Sequence, residues 1–231
     1  MKLSIILCAR NEIKTIKKII DLVKNFKLPE NFSKQILIVD NCSTDGTREF
    51  LQTIENEFQI IYQKQNLGKG NSIKTALELC TGDYVIPQDC DLEYSPDDIS
   101  NILNYAINND LEFTIGSRRN EKNKKFHKYW LNEFGANVLT SIFNVLFGSN
   151  FTDVASCYKL MKTEKLKKFV LSCNGFDLDY EIAAKFIKNT NKYGEIKISY
   201  NSRTYTEGRN YTIFFHGIKA LFIIIKEKII K

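Results

Sequence analysis

Long apolar runs, paired cysteines and clustered histidines are all missing from this sequence. No window reaches the roughly 18 uninterrupted apolar residues of a membrane-spanning helix, and charge returns at Arg10 and Glu12, too early for a signal peptide. Six cysteines without a Cys-x-x-Cys pair and only two histidines argue against zinc and favour reduced thiols in a cytoplasmic protein. No repeat or low-complexity linker marks a second domain.

The composition that is present is that of an ordinary globular protein. The chain has 231 residues, of which 43% are hydrophobic and 26% charged, enough to bury a sizeable core. Its net charge of +6 favours a polyanionic partner, such as nucleic acid, an anionic membrane surface or a phosphorylated substrate. Basic residues alternate with acidic ones and no RNA-binding signature is present, so we expect no nucleic-acid partner.

Short β-type runs alternate with helical patterns along the first half of the chain. This rhythm predicts an α/β fold with a Rossmann-like, mainly parallel sheet flanked by helices. The predicted strands are residues 3–7, 35–39, 59–62, 84–86 and 113–115, and the predicted helices are 12–26, 47–56, 70–80 and 97–109. Further helices are predicted at 129–147, at 179–188 and from about 211, with a strand at 196–200.

Acidic residues follow the fourth predicted strand at every second position. If the chain stays extended there, alternation sends Asp89, Asp91 and Glu93 to one side, where they repel one another unless a cation lies between them. Carboxylate oxygens suit Mg²⁺ or Mn²⁺, and ligands of open α/β sheets collect beyond the carboxyl ends of strands. The alternative is an acidic turn that caps the next helix.

Polar motifs also follow the other predicted strands. Asp40, at the end of the second, can accept hydrogen bonds from a base or a ribose hydroxyl, and the free N–H groups of the next helix favour anions. The Gly-rich turn around Lys69 is by itself a weak phosphate motif. The full ordered set comprises Asn11-Glu12, Asp40-Asn41-Cys42-Ser43-Thr44-Asp45-Gly46-Thr47, Asn66-Leu67-Gly68-Lys69-Gly70, Asp89-Cys90-Asp91 and Gly116-Ser117-Arg118.

This set resembles the inverting family 2 glycosyltransferases with the GT-A fold, over about residues 1 to 205. Two stretches, Asp89 to Pro96 and Asp153 to Lys159, are similar to the subgroup of polyprenyl-phosphate (dolichol-phosphate) mannose or glucose synthases. The resemblance implies a GDP- or UDP-sugar donor, a Mg²⁺ or Mn²⁺ cofactor, and a polyprenyl phosphate or glycan acceptor.

The resemblance also implies roles for individual residues. The metal is expected on Asp89, Asp91 and Glu93, and a catalytic role is expected for Asp91, Arg118, Asp153 and Arg203. The nucleotide sugar is expected against Ala9, Asn11, Glu12, Asp40, Asn41, Lys69, Asp89, Cys90 and Asp91.

The acceptor decides whether a general base is needed. A lipid phosphate is already an anionic nucleophile, whereas a sugar hydroxyl of a glycan, lipopolysaccharide or capsule precursor must lose a proton, for which Asp153 and Asp179 are the candidates. A nucleotidyltransferase is the rival enzyme class, but it is expected to carry a Gly-rich loop after the first strand, and residues 9–12 contain no glycine.

The C-terminal segment has apolar residues at helical spacing among lysines. We expect a glycosyltransferase domain at residues 1–210 and an amphipathic helix at 211–231. This helix is expected either to pack on the protein's own sheet or to lie on an anionic bilayer. The basic stretch at 122–128 is consistent with the same surface. The protein is therefore expected in the cytoplasm. If the helix lies on a bilayer, the protein is expected in peripheral contact with the cytoplasmic face of a membrane. The apolar positions are Phe215, Ile218, Phe222, Ile225 and Ile229.

Overall fold

A computed structural model describes residues 1–119, 130–203 and 213–230. The strands in these ranges are β1 (Lys2–Ala9), β2 (Ser33–Asp40), β3 (Gln59–Tyr62), β4 (Tyr84–Asp89), β5 (Phe113–Ser117), β6 (Lys159–Lys162) and β7 (Tyr193–Lys197). The helices are α1 (Ile16–Asn25), α2 (Thr47–Gln52), α3 (Lys69–Leu79), α4 (Asp97–Asn108), α5 (Trp130–Phe147), α6 (Thr163–Lys168), α7 (Leu178–Asn189) and α8 (Ile213–Ile229).

The strands form one sheet in the order β3-β2-β1-β4-β6-β5-β7. Only β6 runs antiparallel to its neighbours β4 and β5, and the other pairings in the described part of the chain are parallel. The prediction of an α/β fold with a mainly parallel sheet and a C-terminal helix is confirmed.

Helices cover both faces of the sheet, which is why its central strands are apolar at successive positions. Ile5 of β1 packs in the core layer with residues of α1 and α4, whereas the next residue, Ile6, packs in the layer that includes α3, α7 and α8. With both faces covered, the carboxyl edge of the parallel strands is where a ligand can reach the backbone.

The acidic stretch after β4 differs from its prediction. The strand ends at Asp89, and Leu92 adopts a left-handed φ of 63° that turns the chain. The backbone N–H of Glu93 donates to Oδ1 of Asp91 at 3.0 Å, which closes a local turn. The expectation of an extended strand with three alternating carboxylates is therefore wrong, because the chain bends before alternation can continue.

The second half of the sheet was predicted less well. The last strand occupies Tyr193–Lys197 rather than 196–200, and β6 and α6 were not predicted. Strand β6 is only four residues long with a lysine at each end, so its apolar pattern is too short to read. Residues 159–162 form a strand because they pair with β4 and β5, and their own sequence pattern contributes less.

Helix α8 is apolar on two sides. Ala220, Ile223 and Ile224 are buried against α5 and α7, and Lys185 of α7 pairs with Glu227 at 3.1 Å. The helix therefore packs on the protein's own core, as one of the two expectations has it. The predicted stripe that includes Phe222 lies on the other side of the helix and is exposed, and contact of this stripe with a membrane stays a prediction. No helix among the described residues has the length and apolarity needed to cross a bilayer. The expected boundary at 210/211 and the basic stretch at 122–128 lie outside the described residues.

Candidate functional site

The carboxyl ends of the parallel strands meet at one edge of the sheet, where a cavity of about 680 Å³ opens. Strand register aligns Ala9 with Asp40 and Cys8 with Asp89, so the strand-end motifs of β1, β2 and β4 become neighbours. This volume is in the range of small-molecule sites. All but two of the sequence-predicted site residues line it, and the two exceptions are Asp40 and Asp153.

The turns after β1 and β2 hold one another. Asn11 has a left-handed φ of 54°, and its Oδ1 accepts a hydrogen bond from the backbone N–H of Thr44 at 2.8 Å. In return the N–H of Asn11 donates to Ser43 Oγ at 3.0 Å, and the N–H of Glu12 donates to Thr47 Oγ1 at 2.9 Å. The two motifs therefore form one rigid wall of the cavity.

A second set of contacts ties β2 to the Gly-rich turn. Asn41 donates from Nδ2 to Asn66 Oδ1 at 2.9 Å and accepts at Oδ1 from the N–H of Leu67 at 3.0 Å. Gly68 has a φ of 90°, and a Cβ there would lie 2.4 Å from the carbonyl oxygen of Asn174. Only glycine permits this approach, which places the start of α3 at the cavity.

Lys69, the first residue of α3, lies inside the cavity rather than in solvent. Its Nζ is 2.5 Å from Oδ1 of Asp89 and 3.2 Å from Sγ of Cys157. Burial opposes the charge, but Asp89, Cys157 and Asp179 together more than offset burial and raise the pKa of Lys69. Lys69 is therefore a fixed positive charge beside the first aspartate of the Asp-x-Asp pair.

Arg203 approaches the second aspartate of the pair from the other side. Its guanidinium lies 3.2 Å from Oδ2 of Asp91 and 3.0 Å from Oε2 of Glu12. Burial, followed by the neighbouring carboxylates Asp89 and Glu93, raises the pKa of Asp91 to about 7. Even with Arg203 present, the negative charges at this point repel one another, which favours a cation between them.

The carboxylate of Glu93, which was expected on the metal with the two aspartates, is engaged by groups of the cavity wall. Its carboxylate accepts from Tyr200 Oη at 2.5 Å and from the backbone N–H of Arg203 at 2.8 Å. Within the described ranges, no three His, Cys, Asp or Glu side chains form a cluster arranged to hold a metal ion. A metal role for Glu93 stays a prediction, and its observed contacts fix Arg203 and Tyr200 at the cavity wall.

Asp153 has a different place from the one expected of a catalytic base. Its side chain is 0% exposed, and both oxygens accept from Arg118, at 2.7 Å from Nε and 2.8 Å from Nη2. Burial favours the neutral acid, but the guanidinium outweighs it and lowers the pKa of Asp153. With no exposed oxygen it cannot reach an acceptor, so the direct catalytic role expected for Asp153 is not supported. It positions Arg118, which does line the cavity.

Asp40 repeats this arrangement at the far end of the site. Its side chain is 0% exposed, and Oδ2 lies 2.6 Å from Nε of Arg48 while Oδ1 accepts from the N–H of Ser43. The carboxylate expected to contact the nucleoside is thus enclosed, and its neighbour Asn41 lines the cavity instead. Arg48 lies on α2, and the sequence motifs alone did not predict that it pairs with Asp40.

The far wall of the cavity contains residues that the motifs did not identify. Phe176 and His216 meet there with ring centroids 5.1 Å apart, beside Asp179 at the start of α7. Asp179 was predicted as a candidate base, and it pairs at 2.9 Å with Lys159, which is only 1% exposed. The sequence offered one signal that could have indicated His216 as a site residue, which is that the whole chain has only two histidines.

Comparison with known families gives a match to the model described as "Glycosyl transferase family 2" over residues 4–170. The chain is 26% identical to glycosyltransferase AglJ of Haloferax volcanii over 84% of this chain and 61% of that protein. It is 27% identical to a UDP-N-acetylglucosamine–dolichyl-phosphate N-acetylglucosaminyltransferase of Methanococcus voltae over 98% of this chain and 97% of that protein.

Among solved structures, glucosyl-3-phosphoglycerate synthase from Mycobacterium tuberculosis in complex with Mn²⁺, UDP and phosphoglyceric acid superposes with a TM-score of 0.75. The match covers 100% of this chain and 79% of that chain at 16% identity. At this identity the likeness is one of fold.

Proposed function

The chain belongs to glycosyl transferase family 2, with the GT-A fold, and from that premise we propose that it moves a sugar from a nucleoside diphosphate to a polyprenyl phosphate with inversion. The single observation that carries the proposal is the cavity at the carboxyl edge of the sheet. There the Asp89-x-Asp91 pair faces the cationic groups of Lys69, Arg118 and Arg203.

The donor is assigned from the charges of this cavity. A nucleoside diphosphate leaves with two phosphates whose negative charge grows as the glycosidic bond breaks. Arg118 lines the cavity and is held in place by Asp153, with its guanidinium 5.3 Å from the ring of Tyr200. Its positive charge would favour the departing diphosphate. The walls around Asn11 and Asn41 supply amide groups for the nucleoside, and a GDP- or UDP-sugar fits this arrangement.

A divalent metal fits the donor set at the Asp-x-Asp pair. Asp89 and Asp91 offer hard carboxylate oxygens. Burial, and then the neighbouring carboxylates Asp89 and Glu93, raise the pKa of Asp91, and a bound cation would favour its charged form. Mg²⁺ or Mn²⁺ on these two residues would supply charge neutralisation to the diphosphate. The M. tuberculosis structure with Mn²⁺ and UDP supports this choice for the fold.

The proposed acceptor is supported by the M. voltae relative, which is described as a dolichyl-phosphate N-acetylglucosaminyltransferase and matches 98% of this chain. A phosphate acceptor is already ionised and needs only cations and orientation. The alternative, transfer to a sugar hydroxyl of a glycan, lipopolysaccharide or capsule precursor, is favoured by one observation. Asp179 lies in the cavity, held by Lys159, and could accept a proton.

A donor and acceptor screen tests the proposal. Purified protein is incubated with UDP-, GDP- and dTDP-sugars and Mn²⁺ or Mg²⁺, with and without a polyprenyl phosphate. We expect release of the nucleoside diphosphate to increase when the lipid phosphate is added and to stop when EDTA removes the metal. Metal-dependent donor binding with release stimulated only by a glycan would move the acceptor to the alternative class.

Replacement of Asp179 with asparagine separates the two acceptor classes. With a phosphate acceptor no proton is removed, so we expect kcat to fall by less than about tenfold, whereas loss of a base for a hydroxyl costs on the order of 10²- to 10⁴-fold. The measurement is kcat and its pH profile for the identified acceptor. Asp177→Asn is the matched control, because Asp177 precedes the same helix but does not line the cavity.

A further inference from the structure

Helices α5 and α8 share an exposed apolar surface, here called the α5/α8 face. Its members on α8 are Phe215, Ile218, Phe222, Ile225 and Ile229, which are 43% to 74% exposed. Its members on α5 are Phe134, Val138 and Val145. The two helices pack on each other, and on each helix these exposed side chains recur at helical spacing along one side. Contiguous apolar surface of this kind marks a site of interaction.

The buried side of α8 determines which side of the helix is exposed. Ala220, Ile223 and Ile224 are buried in the core, and Glu227 is 2% exposed and paired with Lys185 of α7. Rotating the helix to hide its outer stripe would expose those residues and break the ion pair. The exposed stripe is therefore a stable property of the folded chain.

The α5/α8 face begins at the rim of the cavity. Glu133 of α5 and His216 of α8 line the cavity, and their chain neighbours Phe134 and Phe215 are on the exposed face. At the other end, Lys228 lies 5.7 Å from the ring of Phe147, the last residue of α5. The two helices thus lie side by side from the cavity outward.

The charges around the face identify its partner. Helix α8 carries Lys219, Lys226 and Lys228, and its one acidic residue, Glu227, is buried in an ion pair. The acidic residue of α5, Glu133, is paired with Arg119 at 2.7 Å. An apolar surface bordered by lysines is complementary to a bilayer with anionic headgroups, where burial and charge attraction add.

A second copy of the chain is the competing occupant. The stripe on α8 has the three-and-four spacing of a coiled-coil seam. A seam is narrow, however, whereas this face continues onto α5 through Phe134, Val138 and Val145. Two copies meeting through α8 would also bring their lysines together.

We propose that the α5/α8 face seats the protein on an anionic lipid bilayer, with the cavity at the edge of the contact. This deepens the proposed function and rests on it in one respect: a lipid-linked phosphate held in the bilayer would reach the cavity along this face. Seating itself needs neither donor nor acceptor, so the two proposals can fail separately.

The test is co-sedimentation of the full chain with vesicles of phosphatidylcholine alone or mixed with phosphatidylglycerol. We expect binding to the anionic vesicles, weakened by salt, and a loss of roughly tenfold or more in partition coefficient for Phe222→Ser combined with Ile229→Ser. Val170→Ser is the matched control, since Val170 is 85% exposed outside the face. Circular dichroism and thermal melting verify that each variant is folded.

Charge is tested with Lys219→Gln and Lys228→Gln together, against Lys17→Gln and Lys18→Gln on α1. We expect only the first pair to weaken binding to anionic vesicles.

The proposal would be overturned if wild-type and the Phe222/Ile229 variant bound vesicles equally. It would also be overturned if the wild-type chain bound no vesicles and formed a dimer that this variant abolishes. Vesicle binding by a protein that transfers sugar only to a soluble glycan would support the seating and refute the lipid acceptor.

Discussion

Asp91→Asn is expected to reduce sugar transfer by roughly a hundredfold to a thousandfold. The asparagine keeps the shape of the side chain and its turn, in which Asp91 Oδ1 accepts from the N–H of Glu93. It removes one of the two carboxylates proposed to hold the metal and one of the charge partners of Arg203. The measurement is kcat/KM with the donor identified in the screen, together with donor binding at several Mn²⁺ concentrations.

The stability of this variant distinguishes a functional loss from misfolding. Burial, and then the neighbouring carboxylates Asp89 and Glu93, disfavour the charge of Asp91, so we expect the thermal midpoint of Asp91→Asn to stay level or rise. Asp21→Asn on the exposed side of α1 serves as the control and should change neither property. Near wild-type turnover with unchanged metal-dependent donor binding would show that the Asp-x-Asp pair is not the metal site.

Asp153→Ala is expected to lower the free energy of unfolding by about 3–5 kcal/mol, because it leaves the Arg118 guanidinium buried without its counter-ion. Both oxygens of Asp153 are engaged by this arginine and the carboxylate is fully enclosed. Urea denaturation followed by circular dichroism gives the value. Glu164→Ala removes an exposed ion pair with Lys168 and serves as the control, for which we expect no marked change in the free energy of unfolding.

A double variant separates the two roles of this ion pair. Arg118→Met with Asp153→Leu replaces the charges by apolar groups, and we expect it to recover most of the lost stability. Transfer should stay low, because the cationic group facing the diphosphate is gone. If Asp153→Ala instead leaves stability unchanged and abolishes transfer, Asp153 takes part in the reaction directly.

The sequence predicted the edge of the sheet at which the cavity lies. The apolar runs of β1, β2 and β4 are buried on both faces and strongly patterned, and the polar residues after them mark where each strand ends. Because ligands of open α/β sheets collect at the carboxyl ends of the strands, the strand-end position of Asp89 indicated this edge without coordinates. The places of Asn11 and Asn41 in the same site were implied by the resemblance to family 2 glycosyltransferases.

Enclosure of a side chain was not predictable in the same way. Asp40 and Asp153 have the residue type and motif position of exposed site carboxylates, yet each is hidden by an arginine, Arg48 or Arg118. Arg118 and Asp153 are 35 residues apart in the chain. Which carboxylate pairs with an arginine depends on where distant elements pack, and no spacing rule encodes that.

The antiparallel strand β6 sets an order of assembly for the growing chain. Strands β3, β2, β1 and β4 are joined by local strand–helix–strand connections and lie within residues 1–89, so this half of the sheet can form early. Its β4 edge is covered only by residues 159–162. A nascent chain that ends between these points presents an apolar strand edge without this partner, and such an edge favours aggregation and capture by chaperones.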